Sequence, residues 1–478
     1  MTTFREYYNR CLFNEAKNTQ SDSTTHLSHL EDLVIEDGKK GFTNFIQQVT
    51  GLVNYISGLE SDTVINLKVD GAPALFFGLD PREEFKDQFF VANKYTYKTG
   101  NLAHNVDELH QFYEGKQGLI DKLEAAFNAL KPVVEALGDK KVYQGDILFT
   151  HDSKKTQTID GQQYITYTPQ LLTYAVPMDD SDLHRRVQSA TFGIAVHDSF
   201  NPKLGSDSKN PASLGTGGSA KQVDDLEQMA IEHNVFIAQS FFPRDTVGLK
   251  FPDGAQDRVK YHASKAEYHV EQIEDVFDAE YTNAVESDQR SQVARPDFFA
   301  IVKQFLNNEV RTAGEGKSNV YAASYRDGEF DQDVFRKKFY SFLKKIYDKS
   351  VGKAKNLKTT KGKDKAITNA KAKLSQYEST LDNPNFHHLI VATHHMIQVK
   401  RVLTDMFDVF ETELNSGKIG KSFVKDPSSD SYEATPGEGF VLFYKDNVAK
   451  MVPRISSDPL KIGGFSQLNL SGQGQFQR

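Results

Sequence analysis

The chain has 478 residues, a length that predicts about two to four domains and more than one hydrophobic core. Its formal net charge of −8 at pH 7 does not indicate nucleic-acid binding by the protein as a whole, and no run of about 18 apolar residues indicates a membrane span. The single cysteine, Cys11, excludes an intramolecular disulfide and is typical of a reducing cytoplasm, so a metal site would use carboxylates, histidine and water.

The N-terminal segment, residues 1–60, is predicted to be helical, because its apolar residues recur at spacings that line one face of a helix. The polar stretch 26–32 is interpreted as a surface segment before the helix, with polar groups for a site as the alternative. The apolar stripe comprises Phe42, Phe45, Ile46, Val49, Leu52, Val53 and Ile56.

Three short strands are predicted next, over Thr63–Lys68, Ala74–Gly78 and Gln88–Asn93, with turn residues between them as in an antiparallel sheet. An amphipathic helix follows, and Gly138 is placed to end it. The apolar stripe of this helix comprises Leu119, Leu123, Phe127, Leu130, Val134 and Leu137.

The tetrapeptide Lys68-Val69-Asp70-Gly71 places a lysine at the end of the first strand, and its Asp-Gly pair predicts a turn. A partly desolvated lysine can lose its proton near neutral pH and attack an electrophile such as the α-phosphate of a nucleotide. Lys68 is therefore a candidate nucleophile. The alternative is a hairpin turn with a solvated lysine, because a four-residue motif is common by chance.

Other polar side chains lie in or after the predicted strands. Lys94 and Lys98 follow the third strand and could contact a phosphate backbone, or could form an ordinary exposed strand end. Asp146 lies inside an apolar strand predicted over 141–149, where a carboxylate needs a partner. His197 ends an apolar run with Asp198, and the pair could bind a metal ion or a ribose; a buried, satisfied polar pair is the alternative.

The strand predicted up to Asp198 starts at Phe192, and a further single strand is predicted over 164–176. Residues 201–220 are predicted to form a loop or linker, because half of them are glycine, proline or serine. From residue 221 to about residue 425 the pattern changes to helical periodicity with few strand signals.

This helical region contains a strongly basic stretch from Arg336 to Lys373, with 14 lysine and arginine residues against two aspartates, a local net charge of +12. Such a charge density can neutralise phosphates and steer a nucleic acid to the protein. A solvated lysine-rich loop is the alternative. The candidate contacts are Lys353, Lys355, Lys358, Lys361, Lys363 and Lys365.

The helical region also contains two adjacent histidine pairs, which begin at His387 and His394. The pairs are seven residues apart, about 10 Å along a helix axis, so they lack the i, i+4 arrangement in which two histidines share one ion. Metal binding by these histidines is therefore not expected.

Strand patterning resumes after residue 430, with an apolar run over 437–444, a turn at Asp446-Asn447 and a second run over 448–452. This predicted hairpin presents one glutamate, Glu438, and one lysine, Lys450.

The order of these segments resembles that of the covalent nucleotidyltransferase superfamily, which comprises ATP-dependent DNA ligases, RNA ligases and mRNA-capping enzymes. Lys68 to Gly71 resembles the motif with the nucleotidylated lysine, and Gly145-Asp146 resembles the motif whose acidic residue engages the ribose or a metal. Residues 192–198 resemble the strand whose aromatic ring stacks on the purine. Glu438-Gly439 resembles the metal-side motif, and Lys450 resembles the lysine that contacts the α-phosphate. The opening strands are also similar to those of uncharacterised ligase-like proteins of large tailed bacteriophages.

The sequence departs from the family pattern at several places. Pro73 stands five residues after the nucleophile, where family members often have arginine. His197 stands where phenylalanine is usual, so the base-stacking residue is expected to be His197 or Phe192. In the last motif, family members commonly have two lysines one residue apart, whereas this sequence has Lys450 alone. About 240 residues separate Asp198 from the Glu-Gly motif, where a few tens are normal.

The resemblance implies an α+β fold, in which an ATP-grasp-like nucleotidyltransferase core of antiparallel sheets is interrupted by a large all-helical insertion. Residues 1–60 would form an N-terminal helical segment, 61–220 the first part of the core, 221–428 the insertion, and 429–478 the second part of the core with the tail. Insertion into an exposed loop is tolerated when the ends of the loop stay close.

The resemblance also implies an ATP-dependent polynucleotide ligase with ATP and Mg²⁺ or Mn²⁺ as cofactors. Lys68 and Lys450 would be the catalytic residues, and Asp146 and Glu438 would hold the metal ion. The residues expected to bind the nucleotide are Asp70, Gly71, Asp146, Phe192, His197 and Glu438.

The implied partner is a nucleic acid with DNA or RNA ends, and the protein is expected to act as a monomer, without a membrane, in the cytoplasm, which is that of an infected bacterial host if the chain is viral. Two alternatives stay open. A capping-type guanylyltransferase would prefer GTP. A catalytically degenerate nucleotide- or nucleic-acid-binding phage protein would bind ATP without forming a covalent adduct.

Overall fold

The structure is a computed structural model of the chain. Asp70 and Glu438 lie outside the residues that it describes, and so does the side chain of Lys98. The described residues are 29–59, 61–69, 71–170, 172–203, 213–217, 224–238, 251–279, 301–302, 304–306, 330–425, 431–434, 439–445 and 447–452.

The fold is mixed α+β, as the sequence predicts. The strands of the first half are β1 (Thr63–Leu67), β2 (Ala74–Leu79), β3 (Phe89–Asn93), β4 (Val142–Thr150), β5 (Lys155–Ile159), β6 (Gln162–Tyr167), β7 (Thr173–Pro177) and β8 (Phe192–Lys203). The later strands are β9 (Ser213–Gly217), β10 (Val235–Ala238), β11 (Lys421–Lys425), β12 (Tyr432–Ala434), β13 (Phe440–Tyr444) and β14 (Asn447–Met451).

Helices precede and connect these strands. A short 3-10 turn, Leu30–Asp32, leads into the first of them. None of the helices in the described ranges is long and apolar enough to cross a membrane. They are α1 (Leu33–Ile56), α2 (Lys94–Thr99), α3 (Val106–Phe112), α4 (Gln117–Leu137), α5 (Asp182–Ser189), α6 (Asp224–Glu232), α7 (Ala255–Glu271), α8 (Gln332–Lys355), α9 (Thr360–Leu381) and α10 (Pro384–Lys418).

The strands form three sheets. The hairpin sheet has the order β1-β13-β14, so an N-terminal strand pairs with a hairpin near the other end of the chain. The central sheet has the order β10-β8-β4-β2-β3, with β9 also on β8, and the side sheet has the order β12-β11-β7-β6-β5. The β8–β10 pair is parallel, so the central sheet is mixed rather than purely antiparallel as expected. Helix α6 lies in the connection that such a parallel pair requires.

The central sheet is buried on both faces, which explains the uninterrupted apolar run of β2. Leu75 and Phe77 belong to the core cluster that includes Leu123 of α4. The intervening Phe76 packs on the other face against Tyr97 of α2, with ring centroids 4.5 Å apart. Successive side chains of a strand point to opposite faces, so a strand between two layers must be apolar at every position.

A second core joins the hairpin sheet, the side sheet and the helical region. Helix α1 packs on β1 and β13, and α10 packs on α7, α1 and β11. The helical region therefore shares a continuous core with the sheets.

Several predicted elements are confirmed. Helix α1 contains the predicted apolar stripe, and β1, β2 and β3 begin and end within one residue of their predicted limits. Helix α4 ends at Gly138, whose φ of 65° is in the left-handed region that glycine adopts without steric cost.

Three predictions about single segments are wrong. Residues 164–176 contribute to two strands, β6 and β7, rather than to one. The predicted loop 201–220 contains β9, which pairs with β8. The region 221–428, predicted to be all-helical, contains β10, which completes the central sheet, and β11, which joins the side sheet. Runs of four or five residues are too short for periodicity to distinguish a strand from a helical stripe.

Candidate functional site

Lys68 lies directly after β1, at the edge of the hairpin sheet. Its backbone N–H donates to the carbonyl oxygen of Gly439 at 2.8 Å, which extends the β1–β13 pairing by one residue. Gly439 has a φ of 96° and follows Glu438 in the sequence. The sheet therefore brings the backbone of the Lys68 motif next to that of the Glu-Gly motif.

Lys450 lies on the same sheet as Lys68. It is opposite Val441 of β13, which lies opposite Asn66 of β1. Directly opposed residues of antiparallel strands share a face, and so do residues i and i+2 of one strand. Lys68 and Lys450, both half-buried, therefore lie on one face, two strands and two residues apart, which is about 12 Å between their Cα atoms at the usual strand spacing and rise.

The other face of the hairpin sheet is core, and this alternation determines where the lysines point. Residues on that face are buried against α1 and its neighbours. A shift of one residue in register would place the lysines in the core. Burial of the apolar set on one face therefore keeps the lysines on the opposite face. The apolar set is Ile65, Leu67, Phe440, Leu442, Ala449 and Met451.

Asn66 is a candidate site residue that no sequence motif contains. It lies on the face of Lys68 and Lys450, is 3 % exposed, and its Oδ1 has no hydrogen-bond partner among the residues that the structure describes. Leaving a buried polar atom unpaired costs free energy, so such atoms need an explanation, which at a functional site can be a ligand. The signal in the sequence is one polar residue inside an apolar strand.

The loop after Lys68 is attached to the central sheet at Asp146. The backbone N–H of Gly71 lies 3.3 Å from Asp146 Oδ2, and the backbone N–H of Ala72 donates to the Ile147 carbonyl oxygen at 3.0 Å. A side chain at Gly71 would place its Cβ 2.3 Å from the same carbonyl oxygen. Glycine is therefore required for this close approach, which places the Lys68 motif beside the Asp146 motif.

His197 also contacts Asp146. Its Nε2 lies 3.1 Å from Asp146 Oδ2. The β4–β8 register shifts at this point, so Gln144 pairs with Asp198 and Gly145 pairs with Val196, and His197 has no opposite residue. A bulge of this kind re-aims a side chain, and here it lies where the histidine meets the carboxylate. Both contacts use Oδ2, and Asp146 Oδ1 makes none with the described residues.

Phe192 does not lie with these residues. It is 1 % exposed in the core cluster of the central sheet and pairs with Thr150, whereas Asp146 pairs with Ala195. Three residues of strand separate the two positions, about 10 Å. Phe192 is part of the core, so of the two residues predicted to stack on the base only His197 lies beside Asp146; base stacking itself stays a prediction.

Three further lysines belong to elements near this edge. Lys94 follows Asn93, which pairs with Leu75, and the neighbouring Ala74 pairs with Asp146. Lys94 therefore lies level with Asp146, where β2 begins and β3 ends. Lys98 is on α2. Lys122 of α4 gave no signal in the sequence, yet its Nζ donates to the Ala72 carbonyl oxygen at 3.0 Å.

A buried ion pair supports the strand of Lys450. Lys400 Nζ of α10 lies 2.6 Å from Glu31 Oε2 and 3.2 Å from His29 Nδ1, and the Lys400 and Glu31 side chains are 1 % and 0 % exposed. The backbone of His29 forms a bridge with Lys450. The interpretation of 26–32 as a surface segment is therefore wrong for residues 29–32, which connect α10 to β14; residues 26–28 lie outside the described ranges.

The candidate nucleic-acid lysines of the helical region lie on α8, on α9 and in the turn between them. The main packing partners of these helices are each other and α10, not the hairpin or central sheets. The structure therefore does not bring them to the site of Lys68. The predicted alternative of a lysine-rich loop is wrong, because the stretch forms two helices.

Within the described ranges, no group of three or more histidine, cysteine, aspartate or glutamate side chains is arranged to hold a metal ion. Glu438, one of the two predicted metal ligands, lies outside those ranges.

Comparison with models of known protein families gives one match. Residues 22–471 match a family described as a family of unknown function (DUF6267). No curated protein and no solved structure matches the chain.

Proposed function

The chain belongs to the family of unknown function (DUF6267) that matches residues 22–471. We propose that it acts as an ATP-dependent polynucleotide ligase-like nucleotidyltransferase. The protein would form a covalent adenylate on Lys68 and use it to join a 5′-phosphate to a 3′-hydroxyl of a nucleic acid. The observation that carries the proposal is the meeting of three distant segments. Lys68 and Lys450 share one face of the hairpin sheet, and Gly71 attaches the Lys68 motif to Asp146.

This arrangement suits a nucleotide with its phosphates on the hairpin sheet and its nucleoside toward the central sheet. Two half-buried lysines whose Cα atoms lie about 12 Å apart on one face can flank a triphosphate, and charges in a partly desolvated site interact more strongly than in water. Asp146 Oδ2 of β4 and His197 Nε2 of β8 lie 3.1 Å apart on two neighbouring strands of the central sheet. There the ring can stack on the purine, and the carboxylate can bind the ribose or a metal ion.

The proposed first step is attack by the neutral Lys68 Nζ on the α-phosphorus of ATP. A P–N bond forms, the bond from the α-phosphorus to the bridging oxygen breaks, pyrophosphate leaves, and the amine loses a proton to solvent. The adenylate then passes to a 5′-phosphate end. A 3′-hydroxyl attacks that activated phosphate and AMP leaves. Lys450 would stabilise the negative charge that develops at the α-phosphate.

The donor set near Asp146 fits a hard divalent cation such as Mg²⁺. Such ions prefer carboxylate oxygens, and Asp146 Oδ1 makes no contact with the described residues. Asp146 would hold the ion together with Glu438. The ion, when bound, offsets the negative charge of the phosphates.

Incubation with α-labelled ATP and Mg²⁺ tests the proposal. The protein should become covalently labelled, and Lys68→Ala and Lys68→Arg should both abolish the label, because neither can form the P–N bond at neutral pH. Asp146→Asn should reduce labelling by about 10²-fold or more if the carboxylate supports the transition state.

The matched control is Lys131→Ala, which removes an exposed lysine of α4 and should leave labelling unchanged. Labelling that persists in both Lys68 variants would overturn the assignment of the nucleophile.

A second function is favoured by the hairpin sheet itself. Lys450 is the sole lysine of β14, and Val448 and Val452 flank it where the family that the sequence resembles commonly has a second lysine one residue apart. A catalytically degenerate protein would bind ATP without a covalent adduct. Equilibrium binding of ATP with no label under Mg²⁺ or Mn²⁺ would favour that function, and labelling by GTP in preference to ATP would favour a capping-type enzyme.

A further inference from the structure

The outer halves of α8 and α9 form a two-helix projection that we call the basic arm, residues 344–373. The arm is anchored to the core at its base, where Phe335, Phe339 and Leu343 of α8 and Tyr377 and Leu381 of α9 are buried. Between Leu343 and Tyr377, Ala354 is the single residue that is fully buried. The arm therefore extends from the body and exposes most of its side chains.

The charge of the arm is opposite to that of the rest of the chain. It contains 11 lysines and two aspartates, a net charge of +9, while the whole chain carries −8, so the remaining residues carry −17. Several lysines lie four residues apart on one helix, such as Lys345 with Lys349 and Lys361 with Lys365. Such like-charged pairs destabilise a helix by a few tenths of a kilocalorie per mole each, unless a counter-charge is bound.

The two aspartates of the arm offset only a small part of its positive charge. Six of its lysines, at the outer end of the arm, form no ion pair within the described ranges, and all but the half-buried Lys363 are exposed. A helix surface adapted only to water usually mixes both signs of charge, whereas blocks of one sign mark interaction segments. The six are Lys353, Lys355, Lys358, Lys361, Lys363 and Lys365.

The chemistry of the arm selects one class of partner. A helix that lies on a membrane has a wide apolar face, and in the arm Leu357 is the single large apolar residue with substantial exposure, at 44 %. Proteins that bind single strands stack bases on aromatic rings, and the one aromatic residue of the arm, Tyr347, is half-buried. Lysines without base-stacking rings are suited to the phosphates of a double helix, which present the highest charge density.

We propose that the basic arm binds the phosphate backbone of a nucleic-acid duplex without reading its sequence. Each helix of the arm is about 20 Å long, which spans about 12 phosphate charges along a duplex axis. This inference rests on the proposed function for its biological context, because a ligase must hold a polyanion. It uses different residues, however, and the two can fail separately.

The test measures binding of the full chain to a labelled duplex and to a single strand of the same sequence over 50 to 200 mM salt. Replacement of the six outer lysines by glutamine should lower duplex affinity by at least tenfold. It should also flatten the slope of log affinity against log salt by about 0.9 for each phosphate that is no longer neutralised. Replacement of the same six by arginine should preserve both quantities. Labelling of Lys68 by ATP should continue in both variants.

The matched control replaces six lysines outside the arm by glutamine. They are Lys86, Lys116, Lys131, Lys140, Lys155 and Lys260. This variant has the same net charge as the glutamine variant of the arm, and it should bind the duplex nearly as well as the unmodified chain. Equal affinity and slope in the unmodified chain and the arm variant would overturn the proposal. Equal reductions in the arm variant and the control would also overturn it, because they would show a net-charge effect, and tighter binding of the single strand would overturn the assignment of a duplex.

Discussion

The edge of the sheets and the helical region use polar side chains in opposite ways. At the edge, Lys68, Asp146 and His197 are few, half-buried, and close to backbone groups that determine their positions. In the helical region, the lysines of the basic arm are numerous and solvated. The histidines between α7 and α10 instead contact one another in pairs, and the pair His262–His395 is buried, with its Nδ1 atoms 3.1 Å apart.

Under the two proposals, this difference assigns group transfer to one region and nucleic-acid binding to the other. A site for group transfer needs a small number of groups at fixed distances, which strand ends and tight glycine contacts provide. A surface for a polyanion needs charge density rather than fixed geometry, which a helical arm provides. The buried Lys400–Glu31 pair joins the two regions, because it ties α10 to the segment that bridges Lys450.

The largest expected effect on stability is at this junction. Lys400→Met leaves the Glu31 carboxylate buried without its cation, so the free energy of unfolding should fall by about 3–5 kcal/mol in urea denaturation. A double variant, Glu31→Leu with Lys400→Met, should recover part of the loss, because it removes both charges. Arg336→Met, which breaks the exposed pair with Asp382, should cost less than about 1 kcal/mol. Equal losses in Lys400→Met and Arg336→Met would contradict the role of the buried pair.

The histidine pairs predict a loss of stability in acid. Burial lowers the pKa of His262 to about 4, with Arg401 adding to the effect, and burial and the neighbouring His262 lower that of His395 to about 3. Other groups that face them include His269, Lys265 and Arg258. Both pKa values lie below the ordinary value near 6.5, so the unfolded state binds protons first, and stability is complete above pH 6.5 and lost as pH falls.

The expected loss at pH 5 is about 2 kcal/mol for each of the two histidines. The free energy of unfolding at pH 7.5, 6 and 5 measures it. The double variant His262→Leu with His395→Leu should have a flatter pH profile than the unmodified chain, whereas His110→Gln, at an exposed position, should keep the original profile. If the double variant has the same pH profile as the unmodified chain, these histidines do not cause the loss of stability in acid.

The smallest expected effect on stability is at Asn66, where a substitution should lower activity without lowering the free energy of unfolding. Asn66→Val replaces a buried amide with a residue that suits a strand, so the free energy of unfolding should stay level or rise by about 1 kcal/mol. The rate of adenylation should fall by about tenfold, which corresponds to the loss of one hydrogen bond to the nucleotide. Val64→Thr, on the same face, should change neither quantity much. Full activity of Asn66→Val would show that the amide has no contact with the nucleotide.

Local features of the fold were predictable, because they depend on neighbouring residues. The stop at Gly138 and the stripe of α1 follow from residues that are close in the sequence. The division of 164–176 into two strands was missed, although Thr168-Pro169-Gln170 interrupts the apolar run and a proline inside a run argues against a single strand.

Long-range pairings were not predictable from pattern alone. Nothing in the periodicity of Thr63–Leu67 indicates that its partner is Phe440–Tyr444, or that Glu31 pairs with Lys400. The order of the motifs suggested that Lys68 and Lys450 belong together, and it gave no indication of Asn66, which no motif contains. The bulge at His197 also depends on the register with β4, which the sequence of β8 does not reveal.

The most direct test of the central proposal is to locate the modification. The protein is incubated with ATP and Mg²⁺, digested, and its peptides are analysed by mass spectrometry. The proposal predicts one adenylyl group, on the peptide that contains Lys68, and its absence in Lys68→Arg. An adenylyl group on another residue, or none with either Mg²⁺ or Mn²⁺ although ATP binds, would contradict it.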